Sequence, residues 1–134
     1  MKYIIGIDLG GTNLKVALFD HRLKVKDMQV LSTRAFKTKE GLIKIIIDSI
    51  KDIIRRNKLS TREILGVGLG LPGPVDAKKG IVHFFPNIPG WNEVPLKKIL
   101  KNRLSLPIFI DNDVNLMALA EYKRGAAKNY RTAV

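Results

Sequence analysis

Apolar and polar positions change rhythm several times along the chain. Tyr3–Leu9 and Leu14–Asp20 are short runs rich in Ile, Val, Leu and Phe, parted by Gly10-Gly11-Thr12. This pattern predicts two antiparallel strands joined by a glycine turn. Leu23–Arg34 continues with Leu, Val and Met and predicts a third strand. The period then changes. Ile43, Ile46, Ile47, Ile50, Ile53 and Ile54 follow helical spacing, so Glu40–Asn57 is expected to be an amphipathic helix. Asp52 and Arg56 form a favourable i, i+4 pair on its outer face. In Ile64–Leu71, Val67, Leu69 and Leu71 alternate with Gly66, Gly68 and Gly70. That predicts a strand with one bare face, against which something packs closely. A loop rich in Pro and Gly follows, from Pro72 to Pro95. Pro95 suits the start of a helix over Leu96–Leu104, with Leu96, Ile99 and Leu100 facing the core. Ile108–Ile110 reads as a short buried strand, and Asp113–Arg124 as a helix closed by Gly125. Thr132-Ala133-Val134 looks like the opening of another strand. The order β-β-β-α-β-α-β-α predicts an α/β layer with a mixed sheet.

The 134 residues suit one domain, and 46% hydrophobic content is enough for a core. No apolar run approaches the roughly 18 residues needed to cross a bilayer. The longest, around Ile43–Ile50, is interrupted by Lys44, Asp48 and Ser49. The opening residues lead straight into a strand pattern with no signal-peptide layout, so a cytoplasmic chain without membrane contact is expected. There is no cysteine, which excludes disulfides and thiolate metal sites within these residues. The formal charge of +12 admits nucleic acid as a partner. The cations are dispersed, however: Lys51, Arg55, Arg56 and Lys58 sit among Asp48, Asp52 and Glu63 on a solvated helix face. The charge is read instead as solubility plus attraction for anionic small molecules.

Two stretches carry chemistry. In Gly6–Asn13, "GIDLGGTN", a glycine turn presents backbone N–H groups in one concave spot, the arrangement that attracts phosphate oxygens. Thr12 and Asn13 add side-chain donors, Lys15 adds a positive charge, and Asp8 can orient a hydrated Mg²⁺. A Gly-Gly hairpin alone is often purely structural; Asp before it and Thr-Asn-x-Lys after it favour phosphate binding. The second stretch is Ile110-Asp111-Asn112-Asp113, at the C-terminal end of a strand, where ligands bind in open α/β sheets. One of these residues could serve only as a helix cap. Three polar residues exceed what a cap needs, and a carboxylate there can take the proton of a hydroxyl nucleophile. By contrast, Gly68-x-Gly70-x-x-Gly73 matches a dinucleotide fingerprint only by letter. Pro72 and Pro74 remove two amide donors, and no helical pattern follows. His21 and His83 carry little signal, and Trp91 is expected to anchor its loop.

Three blocks resemble the N-terminal domain of the ROK family of bacterial-type glucokinases, other sugar kinases and sugar-responsive repressors. They are "IGIDLGGTNLKVALFD", "GVGLGLPGPVDAKKGIVHFFPNIPGWNEVPL" and "LPIFIDNDVNLMALAE". Together they span nearly the whole chain in the family's order. The resemblance implies an actin-like (ribonuclease H-like) ATPase fold in two lobes, of which this chain is the first. It implies transfer of a phosphoryl group from ATP to a hexose hydroxyl, a reaction that rests on positioning and charge neutralisation. Asp8 would sit by Mg²⁺-ATP, and Gly10, Gly11, Thr12, Asn13 and Lys15 would face the phosphates. Asn112 and Asp113 would bind sugar hydroxyls, Asp113 acting as the base, with Gly73 and Asn87 lining the sugar side.

The family's second phosphate motif, its Glu-x-x-His sugar contacts, its cysteine-rich zinc site and its adenine pocket belong to the C-terminal lobe and fall outside these residues. The chain alone is therefore expected to show little or no kinase activity, whether it is an excised lobe or a halved protein. The hairpin begins close to Met1, which leaves no room for the repressors' DNA-binding helices and speaks against a repressor. The alternative to a kinase lobe is a non-catalytic sugar-sensing or self-associating domain. An exposed lobe–lobe face favours a homo-oligomer.

Overall fold

The computed structural model describes residues 1–34, 37–85 and 88–112. Three strands open the chain: β1 (Tyr3–Leu9), β2 (Asn13–Asp20) and β3 (Val25–Ser32). The helix α1 (Lys39–Arg56) follows, then β4 (Ile64–Leu71), entered through a single 3-10 turn at Thr61–Glu63. Short strands β5 (Val75–Asp76), β6 (Ile81–Phe84) and β7 (Asn92–Val94) precede α2 (Leu96–Leu104) and β8 (Ile108–Asn112). The main sheet has the order β3-β2-β1-β4-β8. β2 is antiparallel to both β1 and β3, while β1, β4 and β8 are mutually parallel. The predicted mixed sheet is therefore present.

Odd–even alternation sorts the strands' faces. Ile5, Ile7 and Leu9 of β1, Leu14, Val16 and Leu18 of β2, Val67, Leu69 and Leu71 of β4, and Ile108 and Ile110 of β8 are buried in one cluster. The six isoleucines at helical spacing in α1 complete that layer, and Leu96, Leu100 and Leu104 of α2 join it. Ile99, expected on that core face, is only partly buried against it. Thr38 starts α1: its hydroxyl accepts the Gly41 amide at 3.0 Å. Past α1, Lys58 takes a left-handed backbone, at φ 57°. Asp27 of β3 fixes that end of α1 by accepting Asn57 Nδ2 and Arg56 Nη2, each at 2.8 Å. Arg56 also approaches Asp52 at 3.7 Å, so the expected pair forms but shares its cation with β3.

The opposite face of the sheet carries the glycines. A Cβ added at Gly66 would lie 3.0 Å from the Phe109 ring, and one at Gly6 would lie 3.1 Å from Phe19. The bare face predicted for β4 thus has a physical reason at Gly66: an aromatic ring from β8 lies over it.

Two expectations change. The segment Pro72–Pro95, read as loop, contains the antiparallel sheet β5-β6-β7. Its strands are two to four residues long, too short for a period-2 signal to emerge. The third strand is also shorter than Leu23–Arg34, because Asp20 organises a turn ahead of it: its carboxylate accepts the amides of Arg22 (2.8 Å) and Lys24 (3.0 Å). The helix predicted at Asp113–Arg124 and the strand opening at Thr132-Ala133-Val134 lie outside the described residues.

Candidate active site at the C-terminal edge of the parallel strands

Register aligns four residues in one row across the sheet. Lys15 pairs with Asp8, Asp8 with Gly70, and Gly70 with Asp111. All lie on the face opposite α1, because their neighbours Ile7, Leu9, Leu69 and Ile110 are buried beneath it. Adjacent strands stand about 4.8 Å apart, so roughly 10 Å separates the Asp8 and Asp111 backbones. Gly70, between them, contributes no side chain and is itself buried. Lys15 and Asp8 are both exposed, and neither makes an ion pair with a described residue. Asp111 accepts the Asn112 amide at 2.8 Å, and Asn112 is exposed at the end of β8.

The β1–β2 turn stands next to this row. The Gly10 amide donates to the Asn13 carbonyl at 2.9 Å and closes the turn. The Thr33 amide donates to the Thr12 carbonyl at 2.8 Å, tying the segment after β3 to the turn. No hydrogen bond of the described residues occupies the amides of Gly11 and Thr12, and Gly11, Thr12 and Asn13 are exposed. Two of the turn's amides, those of Gly11 and Thr12, are therefore without a partner among the described residues, while that of Gly10 is engaged within the turn. Among the described glycines, left-handed backbone occurs at Gly80 and Gly90 and not at Gly10 or Gly11. At Gly10 an added Cβ would make only an ordinary contact, 3.6 Å from the Asn13 carbonyl oxygen, so packing does not require glycine there.

A cavity of about 460 Å³ opens beside the turn, lined among others by Gly10, Gly11, Arg34, Lys37, Phe85 and Ile88. Phe85 and Ile88 flank Pro86 and Asn87 in the chain. The cavity thus joins the glycine turn to the two ends of the loop assigned to the sugar side. Trp91 is buried, with its ring centroid 5.5 Å from that of Phe85, and anchors this loop as expected.

Asp8, Gly10, Gly11, Thr12, Asn13 and Lys15 lie together at one end of the sheet, and Asn112 reaches the same end from β8. Asp113 and Asn87 fall outside the described residues. Gly73 has a packing reason of its own: a Cβ there would lie 2.3 Å from the Phe84 carbonyl oxygen. For Mg²⁺, the described residues contain no group of three or more acidic, histidine or cysteine side chains that could hold a metal. That suits Mg²⁺ arriving with a phosphate, which needs only one or two carboxylates and keeps several waters. Exposed Asp8 fits the role.

Three aspartates are held below the ordinary carboxylate range, and all are structural. The Lys24 amide lowers Asp20, the Asn57 side chain lowers Asp27 and the Lys79 amide lowers Asp76. Sequence reasoning did not align Asp111 with Asp8, and did not place Arg34 and Lys37 on the cavity beside the turn. Asp111 was visible in the Asp-Asn-Asp run, but its alignment with Asp8 depends on strand order. Arg34 falls at the end of the expected third strand, and Lys37 belongs to no motif.

A mixed α/β sheet opened by a glycine hairpin, with α1 and α2 packed against it, is the architecture of a lobe of the actin-like ATPase fold. The chain belongs to the ROK family, whose model matches residues 4–134. It is 35% identical to a glucokinase from Thermotoga maritima over 95% of this chain and 38% of that protein. It is 33% identical to a xylose repressor from Caldicellulosiruptor bescii over 88% of this chain and 29% of the repressor. A ROK glucokinase from Streptomyces griseus, solved with glucose and AMPPNP, superposes with a TM-score of 0.68 at 32% identity, covering 95% of this chain and 38% of that one. The chain thus spans well under half the length of these relatives.

Proposed function

We propose that this chain is the donor-gripping lobe of a two-lobed hexose kinase that transfers the γ-phosphoryl group of ATP to a sugar hydroxyl. The observation that carries the reading is the row Lys15–Asp8–Gly70–Asp111 beside a turn with uncommitted amides. The glucose- and AMPPNP-bound relative supports sugar and nucleotide as ligands. The Gly11 and Thr12 amides, the Thr12 and Asn13 side chains and Lys15 would neutralise the phosphates. Asp8 would hold Mg²⁺ through water, and the ion would offset charge on the transferring group. Asn112 would orient the sugar, with Gly73 and Asn87 on the sugar side, and Asp113 would take the hydroxyl proton. A second lobe must complete the nucleotide site, so the 134 residues alone are expected to be inactive. The reading places the protein in the cytoplasm; among the described residues no helix is long and apolar enough to cross a membrane.

The test is Asp113→Asn in the two-lobed protein, assayed with ATP and glucose, mannose or N-acetylmannosamine. Turnover should fall on the order of 10²–10⁴-fold. Near-normal turnover with all three sugars would remove Asp113 as the base.

A second reading, a self-associating or sugar-sensing regulator, is favoured by the xylose-repressor relative and by the exposed apolar edge. Met28 and Val30 of the edge strand β3 are each 53% exposed on the face away from α1. It predicts a homo-oligomer by light scattering and sugar binding without phosphoryl transfer. A clean monomer at high concentration contradicts its self-associating form.

A further inference from the structure

The cavity beside the glycine turn has a cationic mouth that the reaction scheme above leaves unused. Arg34 and Lys37 both line it, together with Gly10 and Gly11. Both side chains are exposed, and neither makes an ion pair with any described residue. Other exposed cations, such as Lys51, Lys98 and Lys101, also make no ion pair with a described residue; what sets Arg34 and Lys37 apart is that both line one cavity. The backbone positions this pair. The Thr33–Thr12 hydrogen bond fixes the segment after β3 against the turn, and Thr33 is buried. Thr38 caps α1 immediately beyond Lys37. Leu42, in the first turn of α1, lines the same cavity, which sets the positive end of the helix dipole on this wall.

We propose that Arg34 and Lys37 are specificity-determining contacts for a chain of phosphoryl groups that runs from the glycine turn out through this mouth. The proposal rests on the donor-binding reading above. Free amides at Gly11 and Thr12 suit one phosphoryl group. Two further cations on the same cavity suit the multiply charged neighbours that follow it in a linear chain. Arg supplies a planar fork for phosphate oxygens, and Lys a mobile point charge. A neutral sugar makes no use of two unpaired cations. The required chemistry, a linear phosphoryl chain, is shared by a nucleoside triphosphate tail and by inorganic polyphosphate.

The test is calorimetric titration of the chain with sodium tripolyphosphate and, separately, with Mg²⁺-AMPPNP. The double variant Arg34→Ala/Lys37→Ala should bind tripolyphosphate at least tenfold more weakly. The exchange Arg34→Lys/Lys37→Arg should recover most of that loss. Lys98→Ala/Lys101→Ala, on the exposed face of α2, should change nothing. An equal loss on AMPPNP assigns the mouth to a nucleotide tail; a loss confined to tripolyphosphate assigns it to an inorganic chain. Unchanged binding in the Arg34/Lys37 double variant overturns the proposal, as does an equal loss in the Lys98/Lys101 control, which would indicate bulk charge alone. If Thr12→Val and Lys15→Ala weaken binding while Arg34→Ala/Lys37→Ala does not, the donor reading survives and this inference fails. If wild type binds neither probe, the mouth holds no phosphoryl chain in this lobe and the inference fails. Circular dichroism and thermal melting of every variant confirm that the comparison is between folded proteins.

Discussion

Replacing Gly73 with alanine separates a packing role from a ligand role. An added Cβ would sit 2.3 Å from the Phe84 carbonyl oxygen, whereas ordinary contact begins at 3.4 Å. The shortfall is about 1 Å against backbone, so no side chain can swing aside. Strand β6 would have to retreat. It is held by β5 and β7, through Val82 with Val75 and Val94 and through Phe84 with Asn92. The His83 amide also donates to the Pro74 carbonyl at 3.0 Å, one residue beyond the substitution. Overpacking of this kind costs typically 1–3 kcal/mol, and backbone contact with few routes of relaxation places Gly73→Ala near the upper end, about 2–3 kcal/mol. For a domain of this size that lowers the melting temperature by roughly 6–12 °C. Gly90→Ala is the control: φ is +77° and nothing lies within 4 Å, so only the left-handed backbone is penalised, at about 1 kcal/mol. Thermal melts followed by circular dichroism decide the matter. If Gly73→Ala melts within a degree of wild type, the close approach is not real and the packing account of this loop is wrong.

Three further outcomes follow from the geometry. Gly10→Ala should melt like wild type, because its Cβ would make only an ordinary 3.6 Å contact, while tripolyphosphate binding weakens as the approach to the turn narrows; a large stability loss would contradict this. Asp27→Ala cuts the tie between β3 and the end of α1 and should cost roughly 1 kcal/mol in a urea titration, the Arg56 share being small because that side chain is 39% exposed. Asp20, Asp27 and Asp76 all have folded values below the ordinary 3.8. The folded state therefore prefers their charged forms, and that contribution is complete above about pH 4 and lost as pH falls through the lower folded values. The urea midpoint should decline on acidification below pH 4, and Asp20→Asn should flatten the decline; an unchanged slope would contradict the role of the Arg22 and Lys24 amides.

The main layer was legible because its signals are strong and local. Six isoleucines at helical spacing, the apolar runs of β1 and β2, and Pro95 ahead of α2 each follow from one rule of periodicity or backbone restriction. The small sheet was not legible: a two-residue strand such as Val75–Asp76 cannot show alternation. The glycine turn and the Asp-Asn-Asp run were visible as motifs. Their relation was not, because Asp8 and Asp111 share a row only through Gly70 of the intervening strand β4. Arg34 and Lys37 carry no sequence signal either. What distinguishes them from other surface cations is that both line one cavity, on a segment tied by the backbone hydrogen bond from Thr33 to Thr12.

The central claim is that the β1–β2 turn receives the phosphates. The most direct test is a ¹⁵N-labelled sample titrated with Mg²⁺-AMPPNP and followed by amide chemical shifts. The account predicts the largest, saturable shifts at Gly10, Gly11, Thr12 and Asn13, with a smaller response at Asp8 and Lys15 and none along Lys44, Lys51 and Arg55 of α1. Shifts concentrated on α1 or on β5–β7, with the turn unmoved, would contradict it.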